Sequence, residues 1–392
     1  MTIVLNLGIK RTVERVLQIV DAAFFGIILF LQRWVSIRTN TILLLRQDAI
    51  GDYILFRNFI SVLKTSELYN GYNITLCGNI LWRELSETLD CDDINDFIWL
   101  DKTKFQLSRP YKYLSLLKIC TKGYSILIHP TYSRNAYTDT LVHFIKAERK
   151  IGSEGELKVF IKWKGILIDQ VYDQLVEADN EPMFEFLRNK NFIENIIDAP
   201  IVLERPRIDV TRIHIQRQIS KPYAIIAPGA SEATKMWPIK RFCELTAHLQ
   251  NKYDLTIVVT GSKEEGKLAD EILSYIKDNK ALNLAGKVNL SGLAKIISEC
   301  VILISNDTGT IHIGAAVDAK TVCITNGNRF GRFVPYPANI ANNLCCVFPD
   351  EIYSPSIKIH NFTEMYRDRP ISDITSVHFN MVKQTIDRIL GV

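Results

Sequence analysis

Short apolar segments alternate with amphipathic segments along most of the chain after residue 40. Strand-like runs are predicted at 41–46, 73–78, 97–100, 124–130, 223–229, 255–261, 283–286, 301–305 and 320–325. Helical spacing separates them at 52–66, 81–89, 110–121, 136–147, 182–197, 238–252, 263–277 and 290–300, and from a start near 310. Strands joined by helices of this length pair in parallel through right-handed crossovers. Because the cycle restarts near 223, the pattern predicts an α/β fold of two doubly wound, Rossmann-like domains, 41–205 and 206–392, that face a cleft.

The first 40 residues follow a different pattern and are predicted to be a separate segment. Residues 12–35 carry apolar side chains at three- and four-residue steps, with an uninterrupted apolar run from Ala22 to Leu31. Basic residues flank it at Lys10, Arg11, Arg15, Arg33 and Arg38. The run is well short of the roughly 20 residues that a bilayer span needs, and no small-residue cleavage site follows it. Two interpretations stay open: a helix lying in a membrane interface, which we predict, and a helix packed on the protein body.

Composition and charge narrow the class of protein. The 392 residues are 47% hydrophobic and 23% charged, which is typical of a globular chain of two domains. Eight scattered cysteines without a C-x-x-C pair indicate a reducing compartment rather than disulfides or a zinc site. Residues 102–164 hold 13 Lys/Arg against four Asp/Glu. No recognition helix or RNA-binding aromatic motif accompanies this charge, so an acidic or phosphorylated glycolipid at a membrane is predicted rather than nucleic acid.

Loops that follow predicted strands hold the candidate chemistry. In "LLLRQDAIGDYILF", Gly51 permits a tight turn and Asp52 falls at a helix start, where it acts either as a cap or as a general base. In "IIAPGASEATKMWPIKRF", Trp237 is predicted to be a core anchor, and Lys235 is a candidate phosphate ligand.

Two further loops complete the set. In "VVTGSKEEGKLA", Glu264 and Glu265 are predicted in the first turn of a helix, where they either complement the helix dipole or contact a ribose. In "LISNDTGTIHIGAA", the residues from Asp307 to Thr310 precede a helix whose first N–H groups can bind an anion. His312 is either a locally bonded helix residue or a ligand contact. The "DCDD" stretch at 90–93 is predicted to be a solvated connector, and no metal site is expected.

Taken together these loops resemble glycosyltransferase family 9, the bacterial lipopolysaccharide heptosyltransferase family. The matching stretches are "ILLLRQDAIGDYILFRNFISVLK", "GYSILIHPTYSRNAYTDTLVHFIKAERKIG", "IIAPGASEATKMWPIKRFCELTAHL", "VVTGSKEE" and "LISNDTGTIHIGAA", in the family's order. The resemblance implies a GT-B fold, with an acceptor-binding domain at 41–205 and a nucleotide-sugar-binding domain at 206–392. It also implies inverting, metal-independent transfer of heptose or a related sugar from a nucleotide-diphosphate donor to lipopolysaccharide core or another surface glycan, without a cofactor.

The resemblance also implies residue roles. Asp52 would deprotonate the acceptor hydroxyl, and Lys235 would contact the donor phosphates. Thr308, Gly309 and Thr310 would hold the diphosphate, Asp307 and His312 would line the sugar site, and Glu265 or Glu264 would contact the ribose. Arg134 and His129 would face the acceptor.

Differences from the family pattern leave the partners open. The stretch "IHPTYSRN" and the loop "TNGNRFGRFVPY" depart from the family's usual residues, so a family member that builds another surface polysaccharide is an equal candidate. The expected location is cytoplasmic and peripheral on the inner face of the cytoplasmic membrane. A nucleotide-sugar epimerase of the same fold and a non-catalytic nucleotide-sugar or polysaccharide-binding protein are the alternatives.

Overall fold

The computed structural model describes residues 2–155, 168–178, 182–215, 219–220, 222–276, 280–353 and 370–391, the first 13 of these by backbone alone. Three lysines of the predicted cationic segment, Lys158, Lys162 and Lys164, lie outside these ranges.

The strands and helices follow the predicted alternation. The strands are β1 (Ile37–Arg46), β2 (Asn73–Asn79), β3 (Asp96–Leu100), β4 (Gly123–His129), β5 (Ala147–Ser153), β6 (Gln174–Val176), β7 (Tyr223–Ala227), β8 (Thr256–Val259), β9 (Ala281–Asn283), β10 (Ile302–Asn306), β11 (Thr321–Ile324) and β12 (Leu344–Val347). The helices are α1 (Thr2–Gln32), α2 (Ile50–Phe56), α3 (Asn58–Thr65), α4 (Arg83–Leu89), α5 (Lys102–Leu107), α6 (Arg109–Cys120), α7 (Ala136–Phe144), α8 (Glu185–Ile197), α9 (Ile239–Tyr253), α10 (Gly266–Ser274), α11 (Leu290–Ser298), α12 (Gly309–Ala316) and α13 (Phe379–Leu390).

The chain divides into two compact units, each built on one six-stranded parallel sheet. Unit 1 comprises residues 1–47, 71–80 and 94–178, and unit 2 comprises residues 48–70, 81–93 and 179–392. The α/β prediction is confirmed. The predicted domain boundaries and the cleft stay predictions; the segments 48–70 and 81–93, which we assigned to 41–205, group with unit 2.

In unit 1 the strand order is β3-β2-β1-β4-β5-β6. The buried strands β1, β2 and β4 supply the apolar interior, to which Leu43, Leu45, Cys77 and Leu127 contribute. The order reverses between β1 and β4, and the carboxyl ends of parallel strands at such a reversal form a crevice where ligands bind. His129, at the end of β4, lies at this place.

In unit 2 the strand order is β12-β11-β10-β7-β8-β9. The reversal falls between β7 and β10, so the loops that begin at Pro228 and Asp307 leave the sheet side by side. Trp237 is fully buried in the core of this unit and donates its indole N–H to the Val377 carbonyl at 2.7 Å, which confirms the predicted anchor.

Helix α1 packs on unit 1 by one face. Phe25 and Ile28 are buried there, and the Phe24 ring stacks on Tyr113 of α6 with centroids 4.1 Å apart. The uninterrupted apolar run alone is shorter than a bilayer span, but residues 15–32 of this helix together are long and apolar enough to cross a membrane, unlike our expectation; 11% of them are buried. The two interpretations of this segment are therefore compatible, since one face is packed and the other is exposed.

All eight cysteines are free thiols. The reducing compartment stays a prediction.

Candidate active site

The start of α12 is shaped by the Asn-Asp-Thr-Gly-Thr run. Thr308 occupies the N-cap position with an extended backbone, and its hydroxyl accepts a hydrogen bond from the Thr310 N–H at 3.3 Å. The apolar residues Ile311 and Ile313 bury the helix against the sheet, so its amino-terminal end lies at the carboxyl edge of β10. The early N–H groups and the helix dipole there favour a negatively charged ligand.

Asn306 joins the loop after β7 to the end of β10. Its buried side chain donates from Nδ2 to the Pro228 carbonyl at 2.6 Å, and its Oδ1 accepts the Trp237 N–H at 3.2 Å. This two-sided contact fixes the segment between Pro228 and Trp237, in which Lys235 lies. Sequence reasoning missed Asn306, although it stands in the quoted motif.

The Lys235 side chain is largely covered and lies 3.9 Å from the Glu232 carboxylate. Its charge also acts on Asp307: burial raises the pKa of the Asp307 carboxyl, while Lys235 and a 3.4 Å hydrogen bond from the Thr325 hydroxyl oppose that rise. The structure thus brings Lys235, Asp307 and the start of α12 together.

The first turn of α2 packs directly on the first turn of α12. A Cβ built on Gly309 would lie 2.8 Å from Cβ of Ile50 and 3.3 Å from the Gly51 nitrogen. Asp52 follows these residues as the third residue of α2 and is half-buried. The N-cap position belongs to Ala49, so Asp52 lies within the first turn rather than at the cap. The candidate base and the candidate anion site therefore belong to one packed pair of helix starts.

His312 is buried beneath this pair. A Cβ on Gly51 would lie 2.6 Å from Cδ2 of His312, and Nδ1 of the ring is 2.7 Å from the Tyr336 hydroxyl. Burial lowers the pKa of His312 to about 3, so the ring is neutral at physiological pH. Its local hydrogen bond agrees with the structural interpretation, and a role in lining a sugar site stays a prediction.

Glu265 lies where β7 and β8 end. Its carboxylate occupies the space that side chains on Gly229 and Gly261 would need, and Oε2 accepts the Ser262 N–H at 2.7 Å. Helix α10 begins at Gly266, so Glu264 and Glu265 precede the helix instead of forming its first turn. Glu264 is exposed, and hydrogen bonds from its own N–H and from Ser262 lower the pKa of its carboxyl.

A buried polar cluster contacts α2 through Tyr53. Asp90 pairs with Arg57 at 2.7 Å and accepts hydrogen bonds from the Tyr53 hydroxyl at 2.5 Å and the Ser86 hydroxyl at 2.9 Å. Asp90 is 2% exposed, so the prediction that "DCDD" is a solvated connector is wrong for its first residue. Its ion-pair partner lies 33 residues earlier in the chain and gave no local signal.

The two predicted acceptor residues lie in unit 1 and meet at a tyrosine. Nδ1 of His129 is 2.7 Å from the Tyr172 hydroxyl, and the Arg134 guanidinium lies 5.0 Å from the centre of the same ring. The Tyr172 hydroxyl donates to Asp139 at 2.7 Å. Burial, with Arg134 and Arg46 nearby, lowers the pKa of His129 to about 3.

This relay sets the tautomer of His129. Because the Tyr172 hydroxyl gives its proton to Asp139, Nδ1 of the neutral His129 ring must be the donor, and Nε2 carries a lone pair. Nε2 is buried and has no hydrogen-bond partner within the part of the chain that the structure describes. Sequence reasoning named His129 and Arg134 but missed Tyr172 and Asp139.

The described residues contain no group of three or more His, Cys, Asp or Glu side chains placed to hold a metal ion. Metal independence stays a prediction.

Comparisons with known proteins place these features in a family. The profile of glycosyltransferase family 9 (heptosyltransferase) matches residues 139–358, more than half of the chain. Lipooligosaccharide heptosyltransferase 2 of Campylobacter jejuni is 31% identical over 112 residues, 28% of this chain and 35% of the relative. Lipopolysaccharide heptosyltransferase 2 of Escherichia coli is 24% identical over 203 residues, 48% of this chain and 57% of the relative. The chain thus spans about a third of the length of the Campylobacter relative.

Solved structures share the fold. A glycosyl transferase family 9 protein from Veillonella parvula matches with a TM-score of 0.67 at 16% identity, covering 91% of this chain and 98% of that one. The E. coli heptosyltransferase WaaC with ADP matches with a TM-score of 0.66 at 14% identity, covering 89% and 99%. The two parallel sheets are therefore those of a GT-B fold, and the chain belongs to glycosyltransferase family 9 (heptosyltransferase).

Proposed function

We propose that this protein is an inverting, metal-independent glycosyltransferase that moves heptose or a related sugar from a nucleotide-diphosphate donor to lipopolysaccharide core or another surface glycan. The observation that carries the proposal is the packed pair of helix starts in unit 2. It places Ile50 and Gly51, the two residues before Asp52, against the Gly309 end of α12, and Lys235 lies in the segment whose ends, Pro228 and Trp237, are bonded to Asn306.

The donor site follows from the charge of the ligand. A leaving nucleoside diphosphate gains negative charge as the glycosidic bond breaks, and preorganised N–H donors and a lysine stabilise that charge. Thr308, Gly309 and Thr310 supply the helix start, and Lys235 supplies the cation. Asp307 and His312 are proposed to line the sugar.

A ribose contact is proposed for Glu265 rather than Glu264. The Glu265 carboxylate lies at the ends of β7 and β8, where ligands of doubly wound sheets bind. The E. coli structures with ADP and with an ADP-heptose analogue make ADP-heptose the first donor to try.

The transfer step is a direct displacement. An acceptor hydroxyl oxygen bonds to the anomeric carbon, and its proton passes to the Asp52 carboxylate. The bond from the anomeric carbon to the diphosphate breaks, and the diphosphate leaves with the electron pair. Attack from the face opposite the leaving group inverts the anomeric centre. A base held in position typically contributes about 10²–10⁴-fold in rate.

The acceptor is proposed to contact unit 1 through His129 and Arg134. Nε2 of His129 offers a lone pair to an acceptor hydroxyl, and Nη1 of Arg134 is a buried donor with no partner among the described residues. A glycolipid acceptor implies a cytoplasmic protein held peripherally at the inner face of the membrane.

Incubation of the purified protein with ADP-heptose and glycolipid from a strain lacking it tests the proposal, both with and without EDTA. We expect a glycosylated lipid with inverted linkage in both conditions. A product from the donor alone would instead indicate an epimerase. Donor binding without turnover against any extracted acceptor would indicate a binding protein.

A further inference from the structure

Helix α1 presents two apolar faces over residues 15–32, and among the described residues one of these faces packs on the protein fold. The inner face buries Phe25 and Ile28 against unit 1, where the Phe25 and Phe144 rings lie 4.9 Å apart. On this same side Asp21 accepts hydrogen bonds from the Tyr113 hydroxyl at 2.5 Å and from Arg109 at 3.3 Å. The one carboxylate of residues 15–40 is therefore bound to α6 and directed away from solvent.

The other face carries a row of exposed apolar side chains, which we call the outer stripe. Its members are Val16, Ile19, Val20, Ile27, Phe30 and Leu31, and Trp34 follows just beyond the helix; all are 45–79% exposed. At about 100° per residue the six helical members fall within an arc of about 120°, and Phe25 points to the opposite side. A contiguous exposed apolar surface of this kind marks an interaction site.

The basic side chains beside the outer stripe indicate which kind of partner it binds. Arg15, Arg33 and Arg38 are exposed along or just after the helix, with no acidic side chain on the outer stripe. Basic side chains that border an apolar helix face are attracted to anionic lipid headgroups. Pairing of two such stripes in a symmetric dimer would instead bring arginines of the two copies together.

A cavity extends the apolar surface at the end of the helix. It measures about 500 Å³ and is lined by Ile28, Leu31, Trp34 and Leu117, with Arg38 and Lys122. Leu31 and Trp34 line the cavity and also belong to the exposed surface, so lipid tails that cover the stripe can enter between α1 and α6.

The contacts of the inner face also determine how α1 is oriented relative to the membrane. A helix crossing the bilayer would have to lose the Phe25, Ile28 and Asp21 contacts and expose a carboxylate to lipid, which is costly. A helix lying in the interface keeps all three contacts and buries the outer stripe alone.

We propose that the outer stripe of α1 docks this protein on an anionic phospholipid bilayer, with the helix parallel to the membrane surface. The inference deepens the proposed peripheral membrane association and rests on it. It assigns the docking to a segment that precedes the first strand and names the lipid class.

Co-sedimentation of the full chain with phosphatidylcholine vesicles, with and without phosphatidylglycerol, tests the proposal. We expect at least about tenfold tighter binding to the anionic vesicles, because each arginine near the surface contributes roughly fivefold. The double substitution Ile19→Glu/Ile27→Glu should weaken binding more than about tenfold, since it places charge where apolar area is buried. The matched control is Val202→Glu, an exposed apolar position in unit 2 that should leave binding unchanged.

The depth to which Trp34 enters the bilayer is measured separately. Vesicles with brominated acyl chains should quench Trp34, and the quenching should disappear in Trp34→Phe. Alkaline carbonate should release the protein from the vesicles.

Four results would overturn the proposal: equal binding of the double variant and the parent, no binding of the parent to anionic vesicles, a dimer that the double substitution dissociates, or retention after carbonate treatment. The thermal shift produced by ADP reports the donor site independently of the stripe. If vesicle binding is lost while the thermal shift with ADP is unchanged, docking has failed and the donor site has not. The two measurements therefore distinguish failure of docking from failure of the proposed transfer.

Discussion

The contact between α2 and α12 leads to a quantitative prediction for Gly309→Ala. Gly309 is the first residue of α12, and its backbone conformation is one that alanine also adopts. The added methyl group would meet Cβ and Cγ2 of Ile50 at 2.8 and 2.9 Å and the Gly51 nitrogen at 3.3 Å. Two of the three atoms belong to a β-branched side chain and one to the backbone, so the clash must be relieved by moving the helix starts apart.

The size of the effect follows from this geometry. An overpacked methyl group in a close-packed interior costs about 1–3 kcal/mol of unfolding free energy. Asp52 lies two residues after Ile50, so the same displacement moves the proposed base relative to the diphosphate site. We therefore expect transfer to fall by about tenfold or more, because misplacement by as little as 1 Å can cost about 10²-fold.

Gly266→Ala is the matched control. Gly266 is likewise the first residue of its helix, α10, and a Cβ there has no neighbour within 4 Å. Alanine at this position should be neutral or stabilising by up to about 1 kcal/mol.

Urea unfolding followed by tryptophan fluorescence gives the two free energies, and initial rates of sugar transfer give the activity. If Gly309→Ala is as stable as Gly266→Ala and transfers sugar at the parental rate, the starts of α2 and α12 are not packed as tightly as the structure indicates.

Three further predictions concern the buried ion pair, the donor site and the buried histidines. Asp90→Ala should lower the free energy of unfolding by about 3 kcal/mol, because it leaves Arg57 buried without its carboxylate. Asp92→Ala removes an exposed pair with Arg212 and should lower the free energy of unfolding much less. Equal effects of the two substitutions would contradict the buried pairing. Lys235→Ala should weaken ADP binding about 10–100-fold, measured by calorimetry, with the exposed Lys240→Ala as the control. Similar affinities of the two variants for ADP would show that Lys235 does not bind the donor. The free energy of unfolding should fall as the pH drops below about 6.5, by roughly 1.4 kcal/mol per pH unit for each of the buried His129 and His312. The reason is that histidines of the unfolded chain become protonated in this range, whereas the two folded rings stay neutral down to about pH 3. The slope should decrease in His129→Gln, and an unchanged slope would show that this ring does not titrate as described.

Local patterns predicted the elements whose apolar faces are strongly periodic. Both sheets and the order of the strand-to-helix loops follow from runs such as 41–46 and 301–305, because these central strands are buried on both sides. Strands β5, β6 and β12 escaped prediction; in β5 three of the first four residues, "AERK", are charged and all four are incompletely buried. The helix predicted at 52–66 is two helices, α2 and α3, separated at Arg57.

Contacts between distant parts of the chain could not be predicted. The Asp90–Arg57 pair and the Tyr172–His129 relay join residues 33 and 43 positions apart, and each residue alone is compatible with an ordinary surface position. The sequence did suggest the loops that carry Asp52, Lys235 and Gly309. Segments 48–70 and 81–93 belong to unit 2, and this brings α2 onto α12. That grouping depends on packing between distant residues, which no local sequence pattern encodes.

Asp52 is proposed to accept the proton of the acceptor hydroxyl during sugar transfer. Single-turnover transfer from labelled ADP-heptose to the glycolipid acceptor tests it most directly, comparing the parent with Asp52→Asn. The amide has nearly the same shape and cannot take up the proton, so we predict a rate about 10²–10⁴-fold lower with unchanged ADP binding and thermal stability. Transfer at the parental rate by Asp52→Asn would show that Asp52 is not the base.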